Sequence, residues 1–132
     1  MEDMPLTILK GPHPMLRTIC RPDFVLTASI IQQMFRLLER TGGLGLAAPQ
    51  VGIDARLFVS IWGDVFVNPK IAHRESEMQR QEGCLSLPDV IRLKKRCYKI
   101  ILADNRAYEG QSAIVIQHEI DHLNGILITD KT

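Results

Sequence analysis

Gln117-His118-Glu119-Ile120-Asp121-His122-Leu123 is the stretch from which the fold and chemistry of this chain are most directly read. Its two histidines are four residues apart, a spacing that puts both imidazoles on one face of an α-helix. Gln111 to Leu123 is predicted to be that helix, ended by Asn124-Gly125. An HExxH pattern on a helix can grip a divalent cation between its imidazoles. Glu119, one residue along, can then take a proton from water that the ion acidifies. The same letters also occur on ordinary helices with two surface histidines and nearby acids, so alone the pattern leaves both readings open.

Working outward, a first helix is predicted over Ala28 to Thr41, with Thr27 as its cap and Ile30, Ile31, Met34, Leu37 and Leu38 at helical spacing. Gly42-Gly43 would end it, since glycine accepts the left-handed backbone found there. Arg56 to Trp62 and Val65 to Val67 read as strands joined by a turn at Gly63-Asp64, and Asn68-Pro69 stops the second. Gln79 to Leu87 and Val90 to Leu102 read as extended, and Ile126-Leu127-Ile128 as a last short strand. Strands followed by a helix, without βαβ alternation, give an α+β fold: mixed or antiparallel strands packed around a central HExxH-bearing helix. With 132 residues the expectation is a single catalytic domain, 1–132.

Composition narrows the function. A net charge of +1 gives no electrostatic case for nucleic-acid binding. Lys94-Lys95-Arg96 reads as a solvated strand face. No segment has the length and apolarity of a membrane span. The start, Met1-Glu2-Asp3-Met4-Pro5, lacks the basic-then-apolar layout of a secretion signal, so a cytoplasmic location is expected. Three cysteines, Cys20, Cys84 and Cys97, are an odd count that argues against a disulfide framework.

A catalytic metal site needs three protein ligands and an open position, and HExxH supplies two. Downstream of His122 only Asp130 could serve as a third. Upstream, Cys84 stands out in Glu82-Gly83-Cys84-Leu85-Ser86-Leu87, where a thiolate would complete a Cys/His/His set, although a lone cysteine in an apolar stretch is more often core. Gly43-Leu44-Gly45-Leu46-Ala47-Ala48-Pro49-Gln50 permits close backbone approach by another segment or a ligand. It follows a helix and lacks a Lys-Ser/Thr ending, which argues against a phosphate loop; taken alone it reads as a helix-to-strand turn.

In order along the chain, these three segments resemble the signature motifs of the peptide deformylase family: G-x-G-x-A-A-x-Q, E-G-C-L-S and Q-H-E-x-D-H. Ile8-Leu9-Lys10-Gly11-Pro12 with Leu16-Arg17, and Leu123-x-Gly125-x-Leu127, extend the likeness over nearly the whole chain. The resemblance implies a metal-dependent hydrolase that removes the formyl group from formyl-methionine of nascent polypeptides and releases formate. It implies Cys84, His118 and His122 as ligands of one divalent ion, ferrous iron by preference, with zinc, nickel or cobalt as substitutes. Glu119 would be general base and then acid; Gln50 and the Leu85 backbone N–H would stabilise the oxyanion. Leu44, Gly45, Gly83, Ile114 and Val115 would bind substrate, and Glu82 paired with Arg96 would hold the Cys84 strand. Ser86 is expected to be structural.

Three departures from the family pattern stand out. The inter-motif segments are short, notably Asp104 to Gln111. Arg80 and Gln111 stand near the pocket mouth where relatives are often apolar. The sequence ends at Thr132, soon after the metal helix, so no C-terminal segment for ribosome docking is expected; a compact form of this kind suits a phage-encoded member. A monomer without membrane or nucleic-acid partners is expected. The competing readings are a metallopeptidase, a formyl-peptide-binding module without turnover, and a structural metal protein. The upstream cysteine and Gln50 argue against the first, the intact Glu119 and ligand set against the second. The third lacks a fourth ligand at a recognisable spacing among Cys20, Cys97, His13 and His73.

Overall fold

The computed structural model describes residues 6–130; residues 1–5, whose sequence bears on secretion, and 131–132 lie outside the described part. A short 3-10 turn, Pro14–Arg17, precedes helix α1 (Ala28–Thr41). Strand β1 (Gly45–Ala47) runs into a second 3-10 turn, Ala48–Val51, and is followed by β2 (Leu57–Ser60) and β3 (Val65–Val67). The long strands β4 (Ile71–Cys84) and β5 (Leu87–Leu102), then β6 (Ala107–Glu109), lead to helix α2 (Gln111–Leu123). β1-β2-β3 and β4-β5-β6 form two three-stranded sheets in which every pairing is antiparallel, giving the expected α+β fold.

Helix α1 forms where its apolar period predicts. The Thr27 hydroxyl accepts from the Ile30 N–H at 3.2 Å, and Gly42 closes the helix at φ 73°. Its inner face packs Met34, Leu37 and Leu38 on Leu46, Leu57 and Val59, with Phe35 at the margin. A second apolar cluster, built from Phe58, Phe66, Ile100 and Leu102, receives Ala113, Ile116, Ile120 and Leu123 of α2. Helix α2 therefore lies between the sheets, packed against β5, β6, β1 and β2. Its C-terminal end is held by Arg56, whose guanidinium donates to the Leu123 carbonyl at 2.9 Å and to Asn124 Oδ1 at 2.9 Å. A cation there satisfies carbonyls that the helix leaves open.

Several expectations are corrected. Ile126-Leu127-Ile128 is not a strand: the segment turns, and Leu127 donates to the Asp130 carboxylate at 3.0 Å while Leu127 and Ile128 are buried. Its apolar run marks burial, not extension. β2 is shorter than Arg56 to Trp62, because Ile61 and Trp62 form the turn into β3. β4 begins at Ile71, well before Gln79, and the hairpin to β5 turns at Leu85-Ser86. Lys94-Lys95-Arg96 is not a solvated face: only Lys95 is exposed. Strand alternation turns Lys94, 2% exposed, and Arg96, 6% exposed, inward. All three cysteines are free, and no helix of the described residues is long and apolar enough to cross a membrane.

Candidate metal centre

The end of β4 carries Cys84 to the face of α2 that presents His118 and His122. One ligand atom from each of these three residues falls within 4.8 Å of the others. Cys84 Sγ lies 3.3 Å from His122 Nε2, and the two rings stand edge to face with centroids 5.0 Å apart. Among the described residues this is the group of His, Cys, Asp and Glu side chains placed to share an ion. A thiolate and two imidazoles are donors that suit several transition metals, and three ligands leave a further position open. The donor set and its convergence thus fit a metal ion.

The long hairpin is registered against α2 by a chain of charged hydrogen bonds. Glu82, two residues before Cys84 on β4, accepts from Arg96 Nε and Nη2, each at 2.8 Å, a bidentate pair. The third terminus of the guanidinium, Nη1, donates to Asp121 Oδ2 at 2.6 Å. Glu82 Oε1 also meets His118 Nδ1 at 2.9 Å, which leaves the other ring nitrogen of His118 for the centre. Burial alone would raise the Glu82 carboxyl, but hydrogen bonds from Arg96 and His118 outweigh it and hold its pKa at about 2. Arg96 is held charged by Glu82 and Asp121 against its own burial.

The histidines differ. Burial works against a proton on His118, yet the negative groups at Glu119, Cys84 and Glu82 prevail and raise its pKa to about 10 in the metal-free arrangement. Burial and the neighbouring His118 push His122 well below the ordinary histidine value. His122 Nδ1 has no hydrogen-bond partner among the described residues.

Glu119 is 4% exposed, and burial raises its carboxyl to about 7 even though His118 pulls it down. Its Oε1 has no partner among the described residues, as fits a carboxylate whose partner is water or substrate. The carboxylate lies against the backbone of β1: a Cβ built on Gly45 would stand 2.8 Å from Glu119 Oε2 and 2.9 Å from its Cγ. That close approach explains glycine at position 45. Gln50, 1% exposed, is fixed by its own network. Its Oε1 accepts from the Ala47 N–H at 2.9 Å, so its Nε2 is the end that faces Cys84 Sγ, at 3.8 Å, and Ser86 Oγ, at 3.3 Å. Ser86 is buried, and its carbonyl accepts from Gly11.

A cleft of about 650 Å³ opens onto this centre. Leu44, Gly45, Gln50, Glu82, Gly83, Cys84, Leu85, Ile114, Val115, His118 and Glu119, all singled out from sequence, line it. His122 lies behind the wall, 1% exposed, and Arg96 is covered beneath it. Arg80 and Gln111 do stand at the cleft. Ile8 and Lys10, from the opening stretch of the family likeness, also line it, as do Gln81 and Pro88, which carry no sequence signal of their own. Two motif residues take roles that sequence reasoning missed. Asp121 holds Arg96. Gln117 docks α2 on β5: its Oε1 accepts from the Cys97 N–H at 2.9 Å, and its Nε2 donates to the Cys97 carbonyl at 2.7 Å. β6 pairs only with Lys99 to Ile101, so Gln117 satisfies strand groups beyond its end. Helical spacings of three and four put Asp121 beside His118 and Gln117, but their partners, Arg96 and Cys97, lie on β5.

An α+β fold with a helix-borne His-Glu-x-x-His and an incoming thiolate defines a metal-hydrolase type of centre. The family model described as polypeptide deformylase matches residues 5–132, and the chain belongs to that family. Peptide deformylase of Stutzerimonas stutzeri is 39% identical over 143 residues, covering 95% of this chain and 85% of that protein. The crystal structure of peptide deformylase from Thermotoga maritima superposes with a TM-score of 0.87 at 33% identity, covering 98% of each chain. A deformylase from a Vibrio parahaemolyticus bacteriophage, solved in complex with actinonin, gives 0.81 at 32% identity over 93% of this chain and 100% of that one. The family is metal-dependent, in keeping with the Cys84, His118 and His122 cluster.

Proposed function

We infer that this chain hydrolyses the formamide of formyl-methionyl nascent peptides and releases formate. The observation that carries the reading is the convergence of Cys84, His118 and His122 beside a buried Glu119 at the floor of an open cleft. Cys84, His118 and His122 would hold one divalent ion, ferrous iron by preference, with zinc, nickel or cobalt as substitutes. When bound, the ion supplies Lewis acidity to a water molecule and to the formyl oxygen.

The chain's own groups do the rest. Glu119 takes the proton of the attacking water and later delivers one to the leaving amine; a carboxyl raised toward neutrality suits both tasks. The Gln50 side-chain amide, its orientation fixed through Ala47, and the Leu85 N–H stabilise charge as it develops on the formyl oxygen. Gly45 keeps the Glu119 carboxylate at this distance by offering no side chain. Ile114 and Val115, both buried on α2 beside His118, form the apolar seat of the methionine side chain, and Leu44 supplies a wall. Backbone at Gly45 and Gly83 pairs with the substrate as an added strand. Glu82 and Arg96 act through His118 and Cys84 by fixing their positions. The enzyme works as a cytoplasmic monomer of compact, phage-like form.

The test is formate release from formyl-Met-Ala-Ser by protein prepared without oxygen and loaded with ferrous iron or nickel. Release that stops on chelation, with no cleavage of acetyl-Met-Ala-Ser or of internal bonds, is expected. A folded, loaded protein that yields no formate would overturn the reading.

A further inference from the structure

The cleft carries more positive charge than the hydrolysis of a neutral formamide needs. Its lining includes two carboxylates, Glu82 and Glu119. Glu82 is engaged through both oxygens by Arg96 and His118. Glu119 is buried at the floor. Against these stand Arg80 and Lys10. Among the described residues Lys10 Nζ reaches only the Leu85 carbonyl, at 3.4 Å. Arg80 has no carboxylate within ion-pair distance among the described residues.

Arg80 is also kept from turning back into the protein. In the β4–β5 ladder it stands directly opposite Lys94, and residues opposite one another share a face of the sheet. Lys94 is buried, its ammonium spent on the Asp130 carbonyl at 3.0 Å. Like charges placed opposite each other repel, so the guanidinium of Arg80 is best accommodated toward the cleft. Alternation along β4 puts Arg80, Glu82 and Cys84 on one side, with Arg80 about 13 Å of strand from the thiol. Gln111, two helical turns and about 10 Å before His118 on the same face of α2, lines the same end of the cleft with an amide. The apolar seat at Ile114 and Val115 is nearer the centre, so Arg80 and Gln111 meet the substrate residues that come after the methionine.

We propose that this cleft selects formyl-methionyl peptides carrying an aspartate or glutamate at the second or third residue, with Arg80 pairing the carboxylate and Lys10 adding to the field. The proposal rests on the formyl-peptide reading above and refines its substrate class. Arg80 is a specificity residue that touches substrate without entering the chemistry.

The experiment compares kcat/KM for formyl-Met-Glu-Ser and formyl-Met-Ala-Glu with their lysine counterparts, in the nickel-loaded enzyme and in Arg80→Ala, Arg80→Lys and Arg80→Glu. An exposed ion pair predicts a preference for the acidic peptide of about fivefold at low ionic strength, shrinking as salt is added. The ratio should fall toward one in Arg80→Ala, persist in Arg80→Lys and invert in Arg80→Glu. Equal rates on acidic and basic peptides, or a ratio untouched by Arg80→Ala, overturns the proposal. Calorimetric binding of the deformylated products Met-Glu-Ser and Met-Lys-Ser reads the same preference without turnover. Absence of formate from every peptide would then count against the hydrolytic reading alone, while equal product binding would count against the role of Arg80.

Discussion

Helix α2 and the β4–β5 hairpin each bring ligands to the same centre, and they are stabilised in opposite ways. The helix is buried along most of its length, from Ala113 through Ile120 to Leu123, and is fixed at its end by Arg56. Its two histidines are positioned by one rigid element and a four-residue period. The hairpin is largely exposed from His73 to Glu77, and at its tip Leu85 packs on the α1 cluster. Cys84, at that tip, is brought to the histidines by charge: Glu82 and Asp121 on the two elements share the single guanidinium of Arg96. The helix half of the centre is thus set by hydrophobic burial, and the thiol half by a polar network whose members depend on one another.

The largest effect is expected where that network is cut. Arg96→Ala leaves Glu82 buried without its bidentate partner, with His118 alone still in contact, and should destabilise the fold by roughly 3–5 kcal/mol, measured by urea unfolding. A pH dependence accompanies this loss. The Glu82 pKa is lowered from 4.5 to about 2 in the folded protein, so its contribution is fully present above about pH 4.5 and is lost as pH falls toward 2. The same unfolding series run across that window should show a slope in the parent that is much reduced in Arg96→Ala. A variant as stable as the parent would show that the hairpin is held by something else.

A smaller effect on stability, but a large one on rate, is expected at the contact between the two halves of the catalytic floor. Gly45→Ala forces a methyl group into the Glu119 carboxylate. Displacing that base by a fraction of an ångström to an ångström should lower kcat by roughly 100-fold with KM changed far less. The thermal midpoint should fall modestly as well, because the clash reaches the Cγ of a buried side chain. Steady-state kinetics beside a melting curve separates this outcome from general misfolding.

The same division governs what could be read in advance. α1 and α2 are legible to their caps because helical signals are local: Thr27, the apolar period, Gly42, and the paired histidines. The hairpin is legible only near its apolar end. Between Ala72 and Glu77 both of its faces are in water, so no alternation marks a strand, and β4 runs several residues further back than its composition suggests. β1 and β6, three residues each, are too short to show a period. Lys94 and Arg96 read as a solvated run because a charged residue type suggests exposure, whereas the two-residue strand period and distant partners bury them. Ile126 to Ile128 misled for the converse reason: an apolar run reports burial and says nothing about extension. At the site, spacing alone puts His118, His122 and Glu119 forward as candidates but leaves an ordinary helix equally open. Cys84 could be placed beside them only through the family resemblance, and the roles of Asp121 and Gln117 depend on β5 lying beside α2, which no local signal reports.

The most direct test of a centre shared between helix and hairpin is the metal content per chain of Cys84→Ala and Glu119→Ala, each compared with the parent after anaerobic loading and desalting. Glu119→Ala is expected to retain about one ion per chain and release no formate, while Cys84→Ala, still folded, loses the ion. A Cys84→Ala protein that keeps its full complement of metal would contradict the assignment of the hairpin's thiol to the centre.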